Sequence, residues 1–346
     1  MAYIGTYLLL SVALFLLFLV TGSIADPLSR GLAPTGVERY LLRLTSGLAA
    51  WVAALFLIAA TGRLGPIAVS LLASAAVTAA LALWLRRRGA PGPRREPALP
   101  VDVVTRLGMA ALAVIATALL LQTLRPIVAW DADVYHLTVP RIWLERGGFA
   151  RIPFNVYSNW PSNVQLLFGL AMIVRDYVLA KTIHFGLGIA LLVGLGWWVG
   201  RRSSAAWGIV AAAALLTLPV FLYEIRVAYV DIALALFLFL AFVFCERALS
   251  AGAAQGRRWL LFSGVACGLA TGTKVNGVAG ALAVAGVFVG SSLLSGRRPG
   301  DLLRPLGALA APIAAFAALW TAKSAWLTGN PIYPLLHRWL GGPEWS

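Results

Sequence analysis

The sequence predicts an all-α protein, a polytopic transmembrane helical bundle of about ten spans with interfacial helices in its first large outer loop. Three observations predict it. Of 346 residues, 60% are hydrophobic and only 12% charged, and the mean hydropathy of +0.85 lies far from that of a soluble domain. Apolar runs recur at the length a bilayer core demands, roughly 20 residues per helix. Lysine and arginine gather in short clusters between those runs, as topology signals do.

In chain order the runs predict spans near 3–20, 45–61, 66–85, 105–124, 178–199, 205–222, 230–247, 258–272, 275–294 and 304–325. The first has neither a basic leading region nor an A-x-A cleavage signal, so it reads as a retained helix. The pair within 258–294 is short for two crossings. Its Gly-rich, Lys-interrupted pattern fits either two thin helices or one crossing plus a re-entrant piece.

The formal charge of +15 could suggest nucleic acid. The clustering of the basic residues excludes that reading in favour of topology. Arg86, Arg87, Arg88, Arg94 and Arg95 crowd one Pro/Gly-rich loop, and Arg201-Arg202, Arg257-Arg258 and Arg297-Arg298 mark three more. Ten spans put all four loops on one side, which the positive-inside rule makes the cytoplasm, with both termini outside. The chain then divides into N-terminal helices with a basic loop (1–104), a catalytic membrane core (105–334) with its outer loop at 125–177, and a tail (335–346). The bare end at Gly341 to Ser346 suggests that related chains continue further. Cys245 and Cys267 fall inside apolar runs without ligand spacing and read as inert core residues.

The segment from Arg125 to Asp176 is too polar to cross and too long for a turn, so it needs structure of its own. Val139, Ile142 and Trp143 recur at helical spacing, with Arg141 and Glu145 on another face, as in a helix lying in the interface. Pro140 suits its first turn and Gly147-Gly148 its end. Val164 to Val174 is too short to span comfortably and reads as a second surface helix. Tyr135, Trp143, Tyr157, Trp160 and Tyr177 would supply an interfacial aromatic belt.

Within this segment, Trp130-Asp131-Ala132-Asp133-Val134-Tyr135-His136 places two carboxylates and a histidine where an apolar chain meets water. Ionisable groups there point to function. On a helix Asp131 and Tyr135 share one face, as do Asp133 and His136 or Leu137. Either acid could be a general base with a raised pKa, or both could be helix caps or interfacial charges. Arg226 could neutralise a phosphate or pair with Glu224 or Asp231. Asp231 could simply favour the start of its helix.

Lys274, in Ala270-Thr271-Gly272-Thr273-Lys274-Val275-Asn276-Gly277, interrupts small and apolar residues from both sides. A lysine there must reach water, an acidic partner or an anionic ligand: it snorkels to headgroups or holds a lipid phosphate. His184 and His337 have no metal-ligand neighbour at i+4 and read as structural. There is no Walker loop, dinucleotide fingerprint, G-x-S-x-G or zinc motif, so no soluble nucleotide cofactor is indicated. Two carboxylates are too few ligands to specify a divalent metal, which is left open.

The block from Trp130 to Leu137, followed by Pro140-Arg141, Trp143, Gly147-Gly148 and Asn159-Trp160-Pro161, resembles the first outer loop of bacterial GT-C-type membrane glycosyltransferases. That group includes protein O-mannosyltransferase-like enzymes and lipid A sugar transferases. Pro219 with Tyr229-x-Asp231, the run Gly264-x-x-x-Gly268 to Lys274, and Gly329-Asn330-Pro331 with Tyr333-Pro334 extend the resemblance to about Pro334. It implies a GT-C-like core and a polyprenyl-phosphate-linked sugar donor in the bilayer. It also implies transfer with inversion, at the outer face of the cytoplasmic membrane, to a glycan, lipid or protein acceptor. An aspartate of the first outer loop serves as general base. By position that role falls to Asp131, with Asp133 the second acid, while Tyr135, His136, Arg141, Arg226, Asp231 and Lys274 would hold substrate or donor phosphate.

A membrane transporter or flippase is the rival of another class. It predicts inverted repeats and polar groups near mid-membrane, whereas no internal repeat is visible and the polar groups fall at helix ends. An inactive glycosyltransferase-like membrane protein would share the fold and lose nothing when Asp131 and Asp133 become asparagine.

Overall fold

Backbone amides in an apolar run have no water to bond, so the chain satisfies them internally, as helix. A computed structural model of the chain describes residues 2–29, 32, 36–86, 99–126 and 129–343, and among these all regular structure is helical. In order the helices are α1 (Ala2–Gly22), α2 (Gly36–Ala60), α3 (Pro66–Leu85), α4 (Val103–Thr123), α5 (Thr138–Glu145), α6 (Asn163–Val174) and α7 (Tyr177–Gly200). They continue with α8 (Ala205–Leu216), α9 (Pro219–Glu224), α10 (Asp231–Leu249), α11 (Ala253–Thr271), α12 (Gly277–Leu294), α13 (Leu303–Thr328) and α14 (His337–Leu340). Local chemistry sets several starts. Asp102 accepts from the Thr105 amide, Asp176 from those of Val178 and Leu179, and Pro66 and Pro219 open their helices.

Ten of these helices alternate in direction between two ends of one bundle. At one end Tyr3 Oη donates to the Leu124 carbonyl at 3.1 Å, joining the start of α1 to the end of α4. The Phe149 amide donates at the same end to Ala59 at the end of α2. At the other end, ion pairs join Arg247 of α10 to Glu38 of α2 at 2.6 Å, and Arg202 to Glu246. Arg201, Arg202, Arg257, Arg258, Arg297 and Arg298 all belong to that second end. Of the first basic loop only Arg86 is described; Arg87, Arg88, Arg94 and Arg95, and the tail from Glu344, lie outside the described residues.

By length and composition eight helices among the described residues can cross a membrane. All lie where the sequence predicts spans. The two that fall short are those expected at 205–222 and 258–272. The first breaks after 12 residues of α8, where Thr217-Leu218 precede Pro219 and α9 begins. The second, α11, has 19 residues but carries Arg257 and Arg258 near its start.

The first large loop folds differently from a pair of surface helices. α6 was expected on the surface, yet residues 163–171 are all buried. A helix apolar all round belongs inside a protein or a bilayer, and α6 packs against α5 and α7. α5 does show Arg141 and Glu145 to solvent, but its apolar face packs on protein. Trp143 is wholly buried, 4.9 Å edge-on to Phe149 and stacked 6.4 Å from Trp320. Trp143 is therefore core and drops out of the aromatic belt. Beside it the buried Lys323 of α13 donates to the Ser158 carbonyl. Its ammonium lies 5.0 Å, 5.4 Å and 5.5 Å from the rings of Trp143, Trp320 and Phe149, cation–π contacts that fasten the loop to α13.

Candidate active site

The short segment after α4 decides which way each acid points. The Asp133 amide donates to Ala129 at 3.0 Å, then the Leu137 amide reaches back five residues to Ala132 at 2.8 Å. That single π-type turn, Ala132–His136, is a feature frequent at functional sites. Asp131 and Tyr135 face one side of it. Asp133 and Leu137 line a cavity on the other. Of the two partners sequence spacing offered Asp133, the structure selects Leu137, because His136 turns into the core. His136 is only 2% exposed, its Nδ1 lies 3.0 Å from Gln165 Nε2, and its ring is 4.0 Å from that of Tyr135 and 5.8 Å from that of Tyr229. Burial pushes the imidazole pKa down to about 3, so it is neutral at physiological pH.

Asp131 is half-buried, with the Tyr135 hydroxyl directed towards its carboxylate and the Tyr229 hydroxyl at its backbone amide. Burial, then the Asp131 charge, pushes the Tyr135 phenol above its usual range. Burial and the Tyr223 hydroxyl push Tyr229 up to about 12, so both phenols stay protonated as donors. Tyr135 stacks on Tyr157 at 4.6 Å, Tyr157 meets Trp160 edge-on at 5.0 Å, and Trp130 beside Asp131 is 78% exposed. These rings make an aromatic wall next to a carboxylate.

Asp231 begins α10, and Lys274 sits in the turn between α11 and α12; their side chains pair at 2.6 Å. This is the partner that the sequence left undecided for Lys274. Glu224, at the end of α9, feels both. Burial and the Asp231 charge outweigh Lys274 and raise its pKa to about 7. The Lys274 turn is held by Asn163 at the start of α6. The Asn163 amide donates to the Gly272 carbonyl at 2.7 Å, its Nδ2 to Leu269 at 3.0 Å, and Trp320 Nε1 donates to its Oδ1 at 2.8 Å. A Cβ on Gly272 would stand 2.2 Å from the Asn163 side-chain Nδ2, so only glycine permits this approach. Lys274 opens onto a cavity of about 490 Å³ walled by Trp160, Val278, Ala317, Trp320, Ile332 and Tyr333.

The structure thus brings Asp131, Tyr135, His136, Asp231 and Lys274 to one neighbourhood. The Asp231 charge reaches Tyr135, and that of Lys274 reaches His136. Asp133 and Arg141 belong to the opposite cavity, and Arg141 lies 3.4 Å from Glu145. Arg226 turns away from Glu224 and Asp231, donating to the Leu222 carbonyl at 2.6 Å and to Gln122 of α4. His184 bonds the Val227 carbonyl at 2.8 Å, a structural role. Both cysteines are free and buried. Among the described residues no three His, Cys, Asp or Glu side chains gather as a metal-holding group.

Asn163 and Gln165 escaped sequence reasoning. The signal was present: two amide side chains inside an otherwise apolar run need buried partners.

Residues 156–332, just over half the chain, match the family described as dolichyl-phosphate-mannose-protein mannosyltransferase. The matched stretch contains Tyr157, Glu224, Asp231, Lys274 and Asn330; the acids at 131 and 133 precede it. An uncharacterized protein of Shigella flexneri is 30% identical over 129 residues, which are 36% of this chain. The chain spans 64% of the length of that curated relative. No solved structure matches significantly.

Proposed function

Because the chain belongs to the dolichyl-phosphate-mannose-protein mannosyltransferase family, a family of membrane glycosyltransferases, we propose that it moves a sugar from a polyprenyl-phosphate donor to an acceptor hydroxyl, with inversion, at the outer face of the cytoplasmic membrane. One observation carries this reading. Lys274, paired with Asp231, lines an apolar cavity at the same end of the bundle as Asp131 and its aromatic wall.

The donor's prenyl chain enters the cavity between the Trp160-Pro161 loop, α12 and α13, and its phosphate meets Lys274. An ammonium has three donors, of which one engages Asp231, leaving two for phosphate oxygens. The sugar lies against Tyr135, Tyr157 and Trp160. Asp131 takes the proton of the acceptor hydroxyl as that oxygen attacks C1. The C1–O bond to phosphate breaks, its electron pair stays on the phosphate, and Lys274 stabilises the charge that develops there. Tyr135 and Tyr229 orient Asp131. His136, held by Gln165, stays neutral and packs behind Tyr135. Arg226, tied to Gln122, acts as a strut between α4 and α9. Anchoring the donor in the bundle makes the encounter effectively intramolecular, worth up to about 7–11 kcal/mol in ideal geometry.

The test is transfer of radiolabelled sugar, mannose first, from a polyprenyl phosphate by the purified chain in lipid nanodiscs. Asp131→Asn is expected to lower kcat by about 10²–10⁴ without changing the thermal unfolding midpoint. Equal rates for the variant and the parent would overturn the assignment of the base. A parent chain that moves the intact lipid-linked sugar across the bilayer without cleaving it would support the flippase instead.

A further inference from the structure

We infer that Lys323 is a positioning residue: it holds the turn that bears Tyr157 and leads into Trp160, and so sets the donor sugar in register with Asp131. The inference deepens the proposed reaction, on which its kinetic half rests; its structural half stands apart from it.

Lys323 lies in the last turns of α13, wholly enclosed, and no carboxylate among the described residues pairs with it. Burying an unpaired ammonium is costly. Cation–π attraction offsets part of that cost, yet a methionine of similar length would fill the space between Trp143, Phe149 and Trp320 without any charge to desolvate. Packing alone therefore gives no reason for a cation here. What the ammonium adds is a hydrogen bond to the Ser158 carbonyl.

Ser158 belongs to the single 3-10 turn Val156–Asn159. Tyr157 of that turn stacks on Tyr135, and Trp160, which follows it, lines the donor cavity. Ser158 Oγ donates to the Asn155 carbonyl at 2.7 Å, and Asn155 Nδ2 donates at 2.7 Å to the carbonyl of Val134, inside the π-type turn that aims Asp131. A continuous path of hydrogen bonds thus runs from α13 to the turn of the acid. Its other end is the donor cavity, which Trp320 and Ser324, flanking Lys323 on α13, both line.

The turn has no substitute for this tie among its own amides. Asn155 reaches Val134, and Asn159 Nδ2 reaches back only to Val156 at 3.3 Å. The carboxamide oxygens of both residues are buried without a donor, so the turn is rich in acceptors, and a cation with three hydrogens suits it. The proposed donor is anchored mainly by its prenyl chain and by Lys274. Loosening the turn therefore leaves donor binding nearly intact and displaces C1 of the sugar from the acceptor oxygen that Asp131 deprotonates. Such misplacement lowers the rate of the chemical step.

The test uses the full chain in lipid nanodiscs with radiolabelled mannosyl polyprenyl phosphate. Lys323→Met is expected to lower kcat by about tenfold or more, with the donor KM within about threefold of the parent. Asn155→Ala cuts the far end of the path and leaves the cage around the ammonium intact. It should lower kcat likewise, and the double variant should be no slower than the slower single one, because both break one path. In parallel, amide hydrogen exchange over residues 130–137 and 155–161 should quicken by about fivefold or more in Lys323→Met while α10 keeps its protection. An unchanged kcat in either variant, a donor KM that rises in its place, losses that multiply in the double variant, or unchanged exchange in both segments would overturn the inference. If Lys323→Met does not fold, Asn155→Ala decides by the same kcat and exchange readouts. Quickened exchange in a chain whose parent transfers no sugar from any polyprenyl phosphate would leave the tie standing and defeat the proposed reaction instead.

Discussion

Glu224 and His136 answer burial in opposite ways, and pH separates them. The Glu224 carboxyl, raised to about 7 by burial and the Asp231 charge, binds its proton more tightly folded than unfolded. Its contribution to stability is full below about 4.5 and is lost as pH rises through 7. The His136 imidazole, lowered to about 3 by burial, is protonated more readily unfolded. Its contribution is full above about 6.5 and is lost as pH falls towards 3. Glu224 also bears on the donor, since its ionisation adds negative charge beside Asp231 and the proposed phosphate position. The donor KM should rise as pH passes through 7, and Glu224→Gln should flatten that profile; a rise unchanged in the variant would remove Glu224 from the site. Lys274→Gln should cost about 1.5–3 kcal/mol of donor phosphate stabilisation, read as a ten- to hundred-fold loss of kcat/KM. Because Lys274 holds the Glu224 pKa down, the same variant should move the remaining pH dependence upward. These two kinetic pH series check both statements.

At the scale of elements, the site depends on how the start of α6, the end of α11 and the middle of α13 are pinned. Asn163 makes the three hydrogen bonds that do so, and Gly272 permits the approach. Asn163→Leu leaves Trp320 Nε1 without its partner and the Leu269 carbonyl with Thr273 Oγ1 alone, and should destabilise by about 1–3 kcal/mol, seen as a lower unfolding midpoint in detergent. Gly272→Ala should be destabilising too, and the pair non-additive, because both disturb one contact; additive losses would mean the residues act separately.

This pinning is also where the sequence was hardest to read. The apolar run 164–174 reveals a helix but not its surroundings, because periodicity cannot distinguish a buried short helix from one at a surface. The helix α5 was legible from Pro140, its 3.6-residue pattern and Gly147-Gly148, while the burial of Trp143 depends on Phe149 and Trp320, which only tertiary packing supplies. The divergence of Asp131 and Asp133 was legible from helical spacing; that Leu137 and not His136 lies beside Asp133 comes with the π-type turn, which spacing does not announce. The pairing of Lys274 with Asp231 joins residues 43 positions apart; each was conspicuous as an isolated charge, and only the fold joins them.

For the molecule as a whole, composition and arginine placement were sufficient. Eight of the ten apolar runs became helices long and apolar enough to cross a membrane, the run 205–222 split into α8 and α9, and the arginine pairs 201–202, 257–258 and 297–298 came out at one end of the bundle. Proline 219 and the arginines of α11 explain why two of the ten are not long apolar helices. The central claim is that the first-loop acid and the Lys274 turn share the end opposite those arginines, so that one lipid-anchored donor can meet both. Cysteine accessibility tests it most directly, since native Cys245 and Cys267 are fully buried. Trp130→Cys and Val275→Cys, flanking Asp131 and Lys274, should both react with a membrane-impermeant maleimide on intact cells, and Ser203→Cys only after permeabilisation. Reaction of the first two from opposite sides of the membrane would contradict the account.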